Sequence, residues 1–180
     1  MDKPMPNLMF RGMSWMFRLR DLVSPRDQIL DEAEIRPGAR VLDYGCGPGA
    51  YLGGLVERVG PAGKVYALDI HPLAVQRVEE MARRRQLANV ETICSNCQTG
   101  LPDDSLDAVL LYDILHGLSE PDAVLAELHR VLKPGGMLSV LDPHMGERDI
   151  LSRAASGRTF ELASKGEHTY RFVKRAHAAA

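Results

Sequence analysis

Cysteine, tryptophan and long uncharged apolar runs are all scarce in this chain. There are three cysteines, Cys46, Cys94 and Cys97, and one tryptophan among 180 residues. An odd and small cysteine count speaks against a disulfide framework and fits a reducing, cytoplasmic setting. No stretch is long and apolar enough to span a bilayer. Arg11, Arg18, Arg20 and Asp21 interrupt the region where a secretory apolar segment would lie. Charge of one sign is lacking too, and a formal net charge of −2 offers no basic field for gripping nucleic acid. What remains is an ordinary globular composition, 45% hydrophobic and 26% charged, in a length that suits one domain with a full core.

From Arg40 onward the pattern alternates between strand-like and helix-like runs. Apolar runs at 41–44, 64–69, 90–94, 108–112 and 137–141 read as strands. Helical stretches are expected at 50–59, 73–86 and 120–132. In the last, Val124, Leu125, Leu128, Val131 and Leu132 recur at helical spacing, Ser119 and Asp122 form an expected capping box, and Lys133-Pro134-Gly135-Gly136 stops the helix. Before the first strand, Ser24-Pro25-Arg26-Asp27 reads as a helix start. After the fifth strand, residues 150–155 predict a short helix. Residues 158–163 and 168–174, linked around Lys165-Gly166-Glu167, predict an antiparallel hairpin at the sheet edge. Alternation of this kind implies a parallel sheet with helices on both faces.

The most informative stretch is Val41-Leu42-Asp43-Tyr44-Gly45-Cys46-Gly47-Pro48-Gly49. A buried strand runs into a turn with glycine at every second position, where main-chain N–H groups can approach a ligand closely. Gly45, Gly47 and Ala50 also satisfy a dinucleotide fingerprint, and Asp69 ends the next strand where an acid can hold ribose hydroxyls. A nicotinamide-dependent oxidoreductase is therefore an alternative, and a non-catalytic cofactor-binding or interaction protein is another. Asp43 separates these readings. An acid there gains nothing beside a pyrophosphate, but it suits a cationic ligand.

The chain resembles the class I S-adenosylmethionine-dependent methyltransferases, in particular the small-molecule branch with the ubiquinone and menaquinone methyltransferases. The resemblance covers about residues 25–145. It rests on residues 41–49, on Ala67-Leu68-Asp69-Ile70, on Leu101-Pro102-Asp103-Asp104-Ser105-Leu106-Asp107, on Leu115-His116, and on Glu127-Leu128-His129-Arg130-Val131-Leu132-Lys133-Pro134-Gly135-Gly136. It implies an α/β, Rossmann-like methyltransferase fold: a seven-stranded, mostly parallel sheet with an antiparallel edge hairpin. It also implies S-adenosylmethionine as cofactor and a small-molecule methyl acceptor attacked in line. A single domain over 1–180 is expected, with 1–36 as a helical cap or lid and 37–180 as the core.

By that resemblance, Asp43, Tyr44, Gly45, Cys46, Gly47 and Gly49 surround the methionine end of the cofactor. Asp69 holds the ribose, Ile70 packs on the adenine, Asn96 and Cys97 meet the adenine edge, and Leu111 offers its carbonyl to the cofactor's amino group. Asn96 departs from the aspartate usual there, and Gly117 stands where a second histidine is common. Tyr112, His116 and His144 are the substrate-side candidates, because they follow the fourth and fifth strands at the carboxyl edge of the sheet. No metal site is expected, since Cys94 and Cys97 lack a second ligand pair. His129 and Arg83-Arg84-Arg85 are expected on solvated helix faces. Residues 10–23 have three readings: a lid over the site, a membrane-surface helix, or a homodimer contact. The lid is preferred, because related enzymes close their sites with amino-terminal helices.

Overall fold

The structure is a computed structural model that describes Pro4, Pro6, residues 26–155 and residues 159–175. The expected helix over 10–23 and the Ser24–Pro25 helix start lie outside the described residues. Seven strands form one sheet: β1 (Arg40–Tyr44), β2 (Lys64–Asp69), β3 (Val90–Cys94), β4 (Leu106–Tyr112), β5 (Leu132–Leu141), β6 (Phe160–Lys165) and β7 (Tyr170–Lys174). Their order is β3-β2-β1-β4-β5-β7-β6. The first five run parallel, and β7 pairs antiparallel with both β5 and β6. The expected sheet and edge hairpin are therefore present.

Among the described residues, five α-helices accompany the sheet: α1 (Arg26–Glu32), α2 (Leu52–Val59), α3 (Pro72–Arg84), α4 (Pro121–Val131) and α5 (Glu147–Ala154). Because side chains alternate along a strand, β1 serves two cores at once. Val41 joins Leu30, Leu52, Leu55, Val78, Ala108 and Leu110 on one face. Leu42 and Tyr44 join Leu111, Leu125, Leu128, Phe160 and Phe172 on the other. Burial on both faces explains why the central strands read as continuous apolar runs.

Three local expectations change. Helix α4 starts at Pro121 with Glu120 at its N-cap, so the Ser119 cap is displaced by one residue. Proline fits the first helical position because its missing N–H would have no helical partner there. Residues 133–136 do not stand clear of the sheet but lie within the span of β5, at a register shift between the Leu106–Leu132 and Ala108–Met137 pairs. Pro134 has no N–H for the ladder and Gly135 has φ +75, which accounts for the interruption. His129 is buried rather than solvated, edge-on to Phe160 at 5.6 Å between ring centroids. The edge hairpin covers that helix face. Arg83, Arg84 and Arg85 are exposed as expected.

Two acid-centred knots hold the outer parts to the sheet. Glu32 at the end of α1 accepts from the amides of Glu167, His168 and Thr169 and from the Thr169 hydroxyl. Buried Glu127 of α4 accepts from the Thr99 amide and hydroxyl at 2.8 and 2.6 Å and from two guanidinium nitrogens of Arg130 at 2.8 Å. Among the described residues, no helix is long and apolar enough to cross a membrane.

Candidate cofactor and acceptor site

The strand order reverses between β1 and β4, since their outer neighbours are β2 and β5. In open α/β sheets such a switch point opens a crevice at the carboxyl edge. The glycine turn leaves β1 at that crevice. The amides of Gly45 and Cys46 both donate to the Leu68 carbonyl, at 2.8 and 2.9 Å, which ties the turn to the end of β2. Gly45 and Gly47 have φ of +82 and +51, a region that other residues enter at a cost. Their surroundings differ. A Cβ on Gly45 would lie 2.7 Å from Cδ1 of Ile114, whereas a Cβ on Gly47 would meet nothing within 4 Å. Gly45 is thus closed off by the loop after β4, and Gly47 faces open space.

Asp69 organises the turn from below. Its Oδ2 accepts from the Gly47 amide at 2.8 Å and its Oδ1 from the His71 amide at 2.7 Å. His71 also caps α3 through Nδ1, which accepts from the Leu73 amide at 3.2 Å. Asp43 is buried nearby. Burial, with the Asp69 carboxylate adding to it, pushes its carboxyl up to about 7. Burial also raises Asp69, against the pull of the His71 and Gly47 amides. The buried Cys46 thiol is held well above its ordinary range by burial, Asp43 and Asp69. Two desolvated carboxylates under one turn form a site that gains from a cation.

The loop after β3 joins this edge. The Ser95 amide donates to the Asp69 carbonyl at 3.1 Å, and the Tyr44 hydroxyl reaches the Asn96 carbonyl at 3.5 Å. Ile70, Asn96 and Cys97 are half-buried there. Cys94 is exposed, with Sγ 3.9 Å from the Ile70 carbonyl. Leu111 is fully buried and pairs with Tyr44 across β1 and β4. The sequence-derived residues of the turn and the loops after β2 and β3 therefore share one edge.

The substrate-side candidates divide. Tyr112 is a core residue: it is buried, its hydroxyl is 2.9 Å from Ser139 Oγ, and its ring stands edge-on to Tyr51 at 5.1 Å. Its inward position follows from strand alternation, which turns it away from Leu111's face. His116 and His144 come together, with ring centroids 4.6 Å apart. Between them lies Asp142, whose importance the sequence did not reveal because its partners belong to two separate loops. Its side chain is fully buried and accepts from the amides of His116 and His144 at 2.9 and 3.1 Å. It also faces His116 Nδ1 at 3.0 and 3.1 Å.

Comparison with known proteins agrees with this geometry. A demethylmenaquinone methyltransferase from Geobacillus kaustophilus is 36% identical over 118 residues, covering 65% of this chain and 50% of the relative. The chain thus spans about half the length of that curated relative. The crystal structure of a SAM-dependent methyltransferase from Aquifex aeolicus superposes with a TM-score of 0.72 at 27% identity, covering 87% of this chain and 96% of the other. The [4+2]-cyclase SpnF superposes with a TM-score of 0.68 at 26% identity, covering 80% and 58%. A family profile described as a methyltransferase domain matches residues 35–176. The chain therefore belongs to the methyltransferase-domain family, as a class I, S-adenosylmethionine-dependent type of fold related to the quinone methyltransferases.

Proposed function

We propose that this protein transfers a methyl group from S-adenosylmethionine to a small ring-bearing acceptor of the quinol type. The observation that carries the reading is the turn at Gly47. Its amide is fixed on Asp69, and the direction of its missing Cβ is open space, a cradle that any side chain would fill. The buried Asp43 and Asp69 fit a ligand with sulfonium and ammonium charge. An ionised Asp43 beneath the turn would repel a pyrophosphate, which argues against the nicotinamide alternative, whereas Asp69 suits the ribose of either cofactor.

When bound, S-adenosylmethionine supplies an electrophilic methyl group on a sulfonium sulfur. Asp43 and the turn would hold its methionine end, Asp69 its ribose, and Ile70, Asn96 and Cys97 its adenine. The histidines follow β4 and β5, on the side of β1 away from β2 and β3, and this separation from Ile70, Asn96 and Cys97 supports an acceptor site there. Orientation of the two reactants in this crevice supplies much of the rate, roughly 7–11 kcal/mol in favourable cases. The relative named as a demethylmenaquinone methyltransferase supports a quinol-type acceptor. The modest net charge supports a small molecule over nucleic acid.

Likeness to SpnF supports a second reading, a cyclase that keeps the fold without methyl transfer, because fold alone does not fix chemistry. Incubation with cofactor labelled in its methyl group and reduced naphthohydroquinone separates them. Label in the organic extract is expected. Tight S-adenosylhomocysteine binding with no transfer to this or any extracted metabolite would favour the second reading.

A further inference from the structure

We propose that His116 is the general base of this site, taking a proton through Nε2 from the hydroxyl of an aromatic acceptor, with Asp142 positioning it. The inference rests on the methyl transfer proposed above. Asp142 fixes both the backbone and the ring of His116, through the amide at 2.9 Å and Nδ1 at 3.0 Å. A buried carboxylate on Nδ1 sets that nitrogen as the donor and leaves Nε2 as an acceptor. Among the described residues, Nε2 of His116 makes no hydrogen bond, and the side chain is 40% exposed. His144 is placed differently: its Nε2 lies 3.4 Å from Asp113 Oδ1 and its side chain is 62% exposed. His116 is therefore the histidine whose second nitrogen is both fixed and available.

Its position is tied to the cofactor cradle. Ile114, two residues before it, closes on Gly45, and the short helical turn Leu115–Gly117 carries His116 along the carboxyl edge of β4. The groups around it are Asp142, Asp113, His144 and Arg153, whose Nη1 donates to the Leu115 carbonyl at 3.1 Å. In the step itself, the acceptor's O–H bond breaks and its proton goes to His116 Nε2. The electron pair freed on the acceptor forms the new bond to the methyl carbon, at oxygen or at the conjugated ring carbon, whose own hydrogen then leaves as a proton to water and restores the aromatic ring. Bound S-adenosylmethionine would supply that methyl, the pair of the broken methyl–sulfur bond staying on its sulfur. Asp142 stabilises the imidazolium, which later loses its proton to water.

Three measurements on the full chain test this. Proton–nitrogen correlation NMR of the wild type should show His116 as the Nδ1–H tautomer, and Asp142→Asn should redistribute it. An Nε2–H tautomer in the wild type overturns the proposal. With naphthohydroquinone and labelled cofactor, His116→Asn keeps a donor toward Asp142 but has no base. It should lower kcat by about a hundredfold or more, remove the acid limb of the pH–rate profile, and leave the Kd for S-adenosylhomocysteine unchanged. His144→Asn should cost less and keep that limb; the reverse order overturns the assignment. Asp113, His116 and Asp142 also present ligand atoms within 4.8 Å of one another. Loss of activity with a chelator, restored by a divalent ion alone, would make the cluster a metal site and overturn the base. Failure of S-adenosylhomocysteine to bind would instead sink the methyl-transfer reading. Cofactor binding without turnover of naphthohydroquinone sinks the acceptor assigned here.

Discussion

The amide of Gly47 donates to the carboxylate of Asp69 across 2.8 Å, although the two residues belong to different strand ends. That bond joins the glycine turn after β1 to the acid of β2 and makes one cradle of two sequence motifs. Asp69→Ala should weaken S-adenosylhomocysteine binding by about tenfold to a hundredfold, through loss of the proposed charge-assisted ribose contact and of the turn's anchor. Asn96→Ala should cost less, since the adenine contact proposed for it is a single uncharged one. Titration calorimetry on both variants checks the order, and the opposite order would move the ribose contact away from Asp69.

Gly47→Val should abolish cofactor binding and leave the molecule folded. Its Cβ enters open space, so the fold bears only the strain of a left-handed residue, about 1–2 kcal/mol. Gly45→Val should behave in the other way, losing stability through collision with Ile114. Thermal melts with and without S-adenosylhomocysteine distinguish the two: a ligand-induced rise in Tm with Gly47→Val contradicts the cradle.

Asp43 makes both stability and binding depend on pH. Its carboxyl ionises near 3.8 when free and near about 7 in the folded protein. Between these values the folded state holds the extra proton, so stability falls as pH rises through that window and the loss is complete above it. Asp69 is shifted in the same direction. A cationic cofactor favours the ionised form, so its affinity should rise with pH across the same range. Asp43→Asn should flatten the stability profile and raise Tm at alkaline pH, yet weaken cofactor binding. Denaturant titrations across the window check the first part and calorimetry the second.

Glu127 carries the opposite linkage. Burial would raise its carboxyl, but Arg130 and Thr99 outweigh it and hold it at about 2. Its contribution is full above the ordinary value of 4.5 and is lost as pH falls toward about 2. Glu127→Ala should cost about 3 kcal/mol at neutral pH, because it strands the Arg130 and Thr99 donors. Equilibrium unfolding measures this, and a cost under about 0.5 kcal/mol would show that water replaces the carboxylate.

Much of the fold was legible because the relevant signals are local. Apolar runs marked the strands, helical spacing of Val124, Leu125, Leu128 and Val131 marked α4, and the turn glycines fall at fixed offsets from Asp43. The residues proposed for the cofactor edge share one sheet edge for the same reason, since the Gly45–Gly49 turn, Asp69 and Asn96 each end or follow a strand. What escaped depends on meetings across the sheet. Asp142 gathers donors from loops that follow different strands, and Ile114 covers a glycine 69 positions earlier. His129 looked solvated until β6 supplied Phe160 to cover it, and Tyr112 looked like an edge residue although alternation turns it into the core.

The most direct measurement is a calorimetric titration of the full chain with S-adenosylhomocysteine and, separately, with NADH. One S-adenosylhomocysteine bound per chain, lost in Gly47→Val, with no heat from NADH, is the expected result. Saturable NADH binding with none of S-adenosylhomocysteine would contradict an S-adenosylmethionine cradle over Asp43 and Asp69.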